Sequence, residues 1–294
     1  MIRRSRRRPT SLLASILVLG AMLITAVPAR AAAPVRTDGA DKTVLFIHGY
    51  AGPTGEGYNC RGYWDAAMDA MKSWGWTGSF ETVRLYRGDT DCTLNVSDGD
   101  KKVGIEELGK RLAWTVHNEF SRRGQSVDVI AHSMGGLVVR AALTGVQRRL
   151  SGWPPYLYIE DVATLGTPHA GTVPAFGCGD RQCVDMRPGS EFLGWAAENP
   201  QSAQGTDWTL IASGSDDVIR PRESALIMEA GHWVLFASPP NPPLIDHDAL
   251  RNTTGGDPWL IQYRNYYEGR VIRSGQGVSP IRTAKNAIYW WWKW

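Results

Sequence analysis

From Lys42 onward, apolar runs of strand length alternate with longer stretches of helical periodicity. Thr43–Ile47 (TVLFI) is apolar at nearly every position, as expected of a strand covered on both faces. The pattern predicts a helix over 63–74 and a strand over 80–86. Residues 104–122 carry Ile105, Leu108, Leu112 and Val116 at steps of three and four, which predicts a second helix. Further strands are expected at 127–131, Ile159–Leu165, 208–213 and 232–237, with a helix over 135–147 after the first of these. Such alternation predicts an α/β fold with a mainly parallel central sheet flanked by helices. No repeat or inter-domain linker interrupts it, so 32–294 reads as one domain with its working loops at the carboxyl edge of the sheet.

Composition changes the picture chiefly at the N-terminus. The 294 residues are 43% hydrophobic and 21% charged, which fits a folded chain and excludes disorder or a multi-span membrane protein. The formal charge of +3 comes from residues 1–31. They hold Arg3, Arg4, Arg6, Arg7, Arg8 and Arg30 and no acid, leaving 26 basic against 29 acidic residues beyond them. A body with an acidic surplus is not expected to bind nucleic acid. The arginines precede an apolar run from Leu12 to Val27, followed by Ala29-Arg30-Ala31, with small residues where a signal peptidase reads. Residues 1–31 therefore read as an export signal removed after Ala31, and the protein as secreted. The apolar run, broken by Ser15, Gly20 and Thr25, is short for a membrane span. Twin-arginine and general export both remain open.

Four cysteines, Cys60, Cys92, Cys178 and Cys183, agree with an oxidising compartment and predict two disulfides. A small loop from Cys178 to Cys183 would leave Cys60 with Cys92, although three pairings are possible. Zinc is the weaker reading, because no CxxC occurs and no histidine is near these cysteines in sequence.

Candidate chemistry gathers on a few loops. In Val127-Asp128-Val129-Ile130-Ala131-His132-Ser133-Met134-Gly135-Gly136 a serine stands between a strand and a helix, with Ala131 two before it and Gly135 two after. Small residues there suit a sharp turn that lifts the hydroxyl clear of the sheet, and the helix beyond offers free N–H groups and a positive dipole end. Alone, such a serine is as well explained as a helix cap. A serine nucleophile also needs a base and a carboxylate to orient it. Asp216 and Asp217, just past a strand, both qualify as the acid. His247 follows a further strand and is the expected base, whereas His232 opens that strand and reads as a packed residue.

Together these segments resemble secreted bacterial lipases and esterases of the α/β-hydrolase superfamily, the group called lipase class 2. The resemblance spans most of 42–252 and rests on FIHGY at 46–50, IAHSMGGLVVR at 130–140, TLGTPHAGT at 164–172, GSDDVIRPRESA at 214–225 and IDHDAL at 245–250. It implies the α/β-hydrolase fold and a Ser133–Asp216–His247 triad. Asp216 is chosen over Asp217 because Ile219 and Pro221 then match the family's spacing. The oxyanion hole would use the backbone N–H groups of Tyr50 and Met134. His48 is expected to buttress its loop, and His132 and His169 to be structural. The implied activity is hydrolysis of carboxylic esters, acylglycerols among them, through an acyl-enzyme released by water. An acyltransferase sharing the same triad is one alternative, and an inactive surface-binding protein is another.

Neither cofactor nor metal is expected, and the protein is expected to be a monomer acting on a small-molecule or lipid ester. The stretch between Ile159–Leu165 and 208–213 is too short for a large cap. A helix near 191–197 could set Phe192, Leu193 and Trp195 as a small lid or acyl wall, or pack them on the core. From about 283 the tail is rich in tryptophan, and Trp290, Trp291, Trp292 and Trp294 suit a lipid interface or a folded-back terminus. Residues 89–100 space oxygens somewhat like a calcium loop, yet Leu94 stands where the turn glycine belongs and Asp100 replaces the glutamate, so a polar surface loop is expected.

Overall fold

Helices and strands alternate along the residues described by the computed structural model, 33–237, 244–269 and 271–290. The expected export signal at 1–31 and Trp291, Trp292 and Trp294 lie outside them. In chain order the elements are β1 (Thr43–Ile47), α1 (Cys60–Ser73), β2 (Phe80–Arg84), β3 (Leu94–Asn95), α2 (Ile105–Glu119), β4 (Val127–His132) and α3 (Met134–Gln147). Next come β5 (Ile159–Leu165), α4 (Arg181–Met186), α5 (Glu191–Trp195), β6 (Asp207–Ser213), β7 (His232–Phe236) and α6 (Ala249–Asn252). The chain closes with β8 (Trp259–Asn265), β9 (Ile272–Gly277) and α7 (Pro280–Ala287).

One nine-stranded sheet runs in the order β3-β2-β1-β4-β5-β6-β7-β8-β9. Strands β1 to β7 pair in parallel, and β8 and β9 add an antiparallel edge. Because strand side chains alternate between faces, TVLFI serves two cores at once. Leu45 and Ile47 pack with Leu108, Leu112, Leu137 and Val138 of α2 and α3. Val44 and Phe46 pack with Trp64, Met68, Ile281 and Ala284 of α1 and α7. At about 25 cal/mol per Å² of apolar surface removed from water, burial on both faces makes β1 a strong anchor for the layers on either side.

The antiparallel pair β8–β9 and the helix α7 are absent from the sequence pattern. The reason is exposure: most residues of β8 and β9 are open to solvent, and β9 contains two glycines. An edge pair of this kind needs no sustained apolar alternation. Helix α7 buries Ile281, Ala284 and Ala287, and the Ile288 that follows is also buried, so this end of the tail is core. Trp290 is half-buried beside Tyr289, with ring centroids 4.7 Å apart.

A group of acids lies at the amino ends of β4 and β5, opposite the edge where β4 meets α3. Asp128, Glu160 and Asp161 are all buried. Arg36 meets Asp161 at 2.6 Å and Lys42 meets Glu160 at 2.8 Å, which ties the segment before β1 to the sheet. Burial pushes the Asp128 carboxyl up to about 8 against the attraction of Lys42. Its folded value exceeds its unfolded one, so the native state keeps a proton that the unfolded chain has released. Stability therefore falls as pH rises between its ordinary value and about 8. The melting temperature is expected to drop more between about pH 5 and pH 9 in the native sequence than in Asp128→Asn. Equal slopes would show that Asp128 is not the source.

Candidate active site

Strand β4 is buried along its whole length and ends at His132, directly before Ser133. Ser133 holds φ 55° and ψ −134°, a conformation that costs a non-glycine residue about 1–3 kcal/mol. Neighbours on both sides impose it. A Cβ on Gly135 would lie 2.5 Å from the Ile47 carbonyl oxygen and 2.6 Å from that of His48. A Cβ on Gly49 would lie 2.6 Å from the Ser133 Cβ. Two loops thus approach closer than side chains permit, and the Thr167 hydroxyl donates to the Ser133 carbonyl at 2.8 Å.

The structure brings Asp216 and His247 together at the same edge. His247 Nδ1 lies 2.9 Å from Asp216 Oδ2, and both residues are buried. Asp216 Oδ1 accepts the N–H groups of Val218 at 2.9 Å and Ile219 at 2.8 Å, so the carboxylate is fixed at both oxygens. Asp217 plays a different part: its Oδ1 accepts the His247 backbone N–H at 3.2 Å. His132 Nε2 contacts the His247 carbonyl oxygen at 2.9 Å, while its Nδ1 meets the Tyr63 hydroxyl at 2.6 Å. Burial holds His132 well below the usual histidine range. A neutral ring that accepts from Tyr63 and donates to His247 satisfies both contacts. With Nδ1 turned to Asp216, His247 presents Nε2 on the opposite ring edge, in a pocket that Ser133 also lines.

That pocket has a volume of about 380 Å³. Its apolar wall includes Pro168, Pro174, Ala175, Met186, Val218 and Ile219, and the Cys178–Cys183 disulfide forms part of it. The wall comes from the stretch after β5 and the loop after β6. Helix α5 is not part of it: Phe192 is buried in the core beside α3, and Leu193 and Trp195 pack against the same cluster. Of the two roles open to this helix, core packing is the one observed.

Tyr50 follows Gly49, and Met134 is the first residue of α3. The opening N–H groups of a helix have no partner within it. Across a trans peptide N–H and C=O point apart, so what holds the Gly49 carbonyl also aims the Tyr50 N–H. His48 holds it: Nδ1 lies 2.9 Å from the Gly49 oxygen, and Nε2 lies 2.9 Å from Asp89 Oδ2. Burial alone would raise the Asp89 carboxyl, but bonds from His48 and from the backbone N–H groups of Tyr86 and Tyr58 outweigh it and hold it below its usual value. His48 and Asp89 also approach Cys60 as a possible metal cluster. The Cys60 sulfur is bonded to Cys92, and Asp89 is committed to three backbone N–H groups and His48, so those donors are spent.

Several residues that hold this edge together carry no sequence-level assignment. Buried Arg140, seven residues beyond Ser133, donates to the carbonyls of Ala197 at 2.7 Å, His169 at 2.7 Å and Ala196 at 3.0 Å, fastening the chain after β5 and the end of α5 to α3. Its signal is a lone arginine in the apolar run LVVRAAL. Tyr63 has no such signal, because its partner His132 lies 69 positions away. His169 is buried against the Thr164 hydroxyl at 3.1 Å, and burial keeps it well below the usual histidine range.

Residues 92–178, which contain the strand–turn–helix elbow at Ser133, match the family model described as "Putative serine esterase (DUF676)". Aspergillus fumigatus lipase B is 15% identical, covers 74% of this chain and 52% of its own, and superposes with a TM-score of 0.52. The chain has the α/β-hydrolase fold. Mature Bacillus licheniformis lipase BlEst2 is 21% identical over 62% of this chain and 70% of its own, with a TM-score of 0.42. Phospholipase PlaB from Legionella pneumophila is 17% identical over 60% and 38%, with a TM-score of 0.43. The chain thus spans about half the length of the fungal lipase. No curated protein sequence matches it.

Both disulfides are present, Cys60–Cys92 and Cys178–Cys183, with Cα atoms 5.0 and 6.0 Å apart. No helix among the described residues is long and apolar enough to cross a membrane.

Proposed function

We propose that this protein is a secreted serine esterase that cleaves carboxylic esters of aliphatic acids through an acyl-enzyme. The observation that carries the reading is the Asp216–His247 pair at the edge of the pocket lined by the strained Ser133. His247 Nε2 removes the Ser133 hydroxyl proton as Oγ attacks the ester carbonyl carbon. The oxygen that becomes negative is met by the Tyr50 and Met134 N–H groups, already oriented and backed by the α3 dipole. His247 returns the proton to the departing alcohol. Water enters, gives its proton to His247 and attacks the acyl carbon, and as that second adduct collapses His247 returns the proton to Oγ, which releases the acid and restores Ser133. Asp216 accepts from Nδ1 and so holds the imidazole in the tautomer that leaves Nε2 free to accept.

The apolar pocket wall suits an acyl chain, and its volume suits short to medium length. Export is supported by the two disulfides, which persist in oxidising compartments. On p-nitrophenyl esters from acetyl to palmitoyl, turnover is expected to peak between butyryl and octanoyl and to fall at palmitoyl. A palmitoyl optimum would overturn the chain-length reading, and no turnover of any ester would overturn the function.

A further inference from the structure

We propose that the disulfide-closed loop 178–183 is a strap that sets the oxyanion-hole residue, with Asp180 acting as a positioning residue through the Tyr50 hydroxyl. The inference rests on the role given to Tyr50 above. The hydroxyl donates to Asp180 Oδ2 at 2.5 Å, across 130 positions of sequence. Burial and the adjacent Asp180 carboxylate raise the Tyr50 phenol well above its usual value, so it remains a donor.

The strap is pinned at both ends. Beyond the Cys178–Cys183 bond, the Arg187 guanidinium donates to the carbonyls of Cys178 at 2.7 Å and Ala175 at 3.2 Å. Fully buried Gln182 accepts from the Tyr86 hydroxyl at 2.6 Å and donates to the Val103 carbonyl at 3.0 Å. The other partner is held along its backbone. The Gly49 carbonyl is fixed by His48, and the Tyr50 carbonyl accepts the Tyr58 hydroxyl at 2.8 Å. Lys101 Nζ reaches the Gly52 carbonyl at 2.9 Å. Those bonds act on carbonyls, and Asp180 adds the hold at the far end of the Tyr50 side chain that steadies the residue from which the N–H projects.

A loop that merely walled the pocket would change how substrate fits, and so KM. A strap acting through Tyr50 changes the grip on charge that develops only in the transition state, and so kcat.

The test compares Tyr50→Phe, Asp180→Ala, their combination and Asp180→Asn, with p-nitrophenyl butyrate as substrate and an alkyl p-nitrophenyl phosphonate as inactivator. Loosening a donor costs less than the 10²–10³ of deleting one, so each of the first two is expected to lower kcat about tenfold with KM nearly unchanged. Inactivation by the phosphonate slows in parallel. The combined variant is no worse than either alone, because both remove the same contact. Asp180→Asn keeps an acceptor oxygen and recovers most of the rate.

Multiplicative losses, a change confined to KM, or unchanged kcat would overturn the strap. Cys178→Ser with Cys183→Ser is expected to lower kcat likewise. Should that pair fail to fold, the Tyr50 and Asp180 variants still decide the matter, since each changes only the tip of a side chain. Full activity in Ser133→Ala would instead remove the esterase reading itself, which keeps the two failures distinct.

Discussion

Ser133→Ala is expected to lower kcat/KM for p-nitrophenyl butyrate by about 10⁴-fold or more, while the melting temperature moves by only a few degrees. The size follows from what the substitution removes. Without Oγ there is no acyl-enzyme, and His247 and Asp216 have nothing to activate, so losses in the three are expected not to add. Residual turnover would come from the oxyanion N–H groups and from binding. Stability changes little because alanine at this position inherits the same φ of 55°, held by the contacts of Gly135 and Gly49. Loss of activity with KM little altered would locate the defect in the chemical step. A variant that retained activity, or that still took up a fluorophosphonate at one equivalent, would place the nucleophile elsewhere.

The elbow was legible because its constraints are local. Strand β4, the small residues flanking Ser133 and the start of α3 lie within about one strand and one helical turn. The parallel strands were legible for a related reason: burial on both faces writes a continuous apolar run into the sequence, as in TVLFI. Elements without that burial were not. Strands β8 and β9 lie at an open edge, where Leu260 and Ile272 remain exposed and no period is enforced. The contacts that hold the site's loops in place were equally hidden. Tyr63 meets His132 across 69 positions, Arg140 meets Ala197 across 57, and Tyr50 meets Asp180 across 130. Contacts of that range depend on the folded arrangement of loops, and residue type alone does not announce them.

Position also separates the histidines, which residue type cannot. His48, His132, His169, His232 and His247 are all buried, yet their partners differ. His48 faces Asp89 and a loop carbonyl, His132 faces a tyrosine and a carbonyl, and His169 faces a threonine. His232, in β7, meets Asp207 at 3.3 Å at the start of its neighbouring strand. Strands β6 and β7 run parallel, so their starts lie at the edge of the sheet away from Ser133. A carboxylate partner therefore does not by itself mark the base. What distinguishes His247 is a carboxylate on Nδ1 together with a place in the pocket that Ser133 lines.

The adjacent aspartates give the sharpest contrast. Asp216→Asn is expected to lower kcat by about 10³–10⁴-fold at neutral pH, whereas Asp217→Asn should cost about tenfold or less. An asparagine at 216 can turn either its oxygen or its NH₂ group toward His247 Nδ1. The backbone N–H groups of Val218 and Ile219 demand an acceptor on the other side, and they hold the amide oxygen there. The NH₂ group then faces His247, and Nδ1 must accept instead of donate. The proton moves to Nε2, the atom that has to accept the proton of Ser133, and the base is lost. At 217 the contact is with the His247 backbone N–H, which an amide oxygen accepts as well as a carboxylate does. The imidazole then keeps its tautomer, and any loss comes from a slight shift of the 246–248 turn. Measuring kcat across pH for both variants separates these causes. The Asp216→Asn rate should recover in part at high pH, where hydroxide can take over as base, while the Asp217→Asn profile should follow the native one. Equal losses in the two would mean that orientation of the backbone, and not the charge beside Nδ1, governs the base.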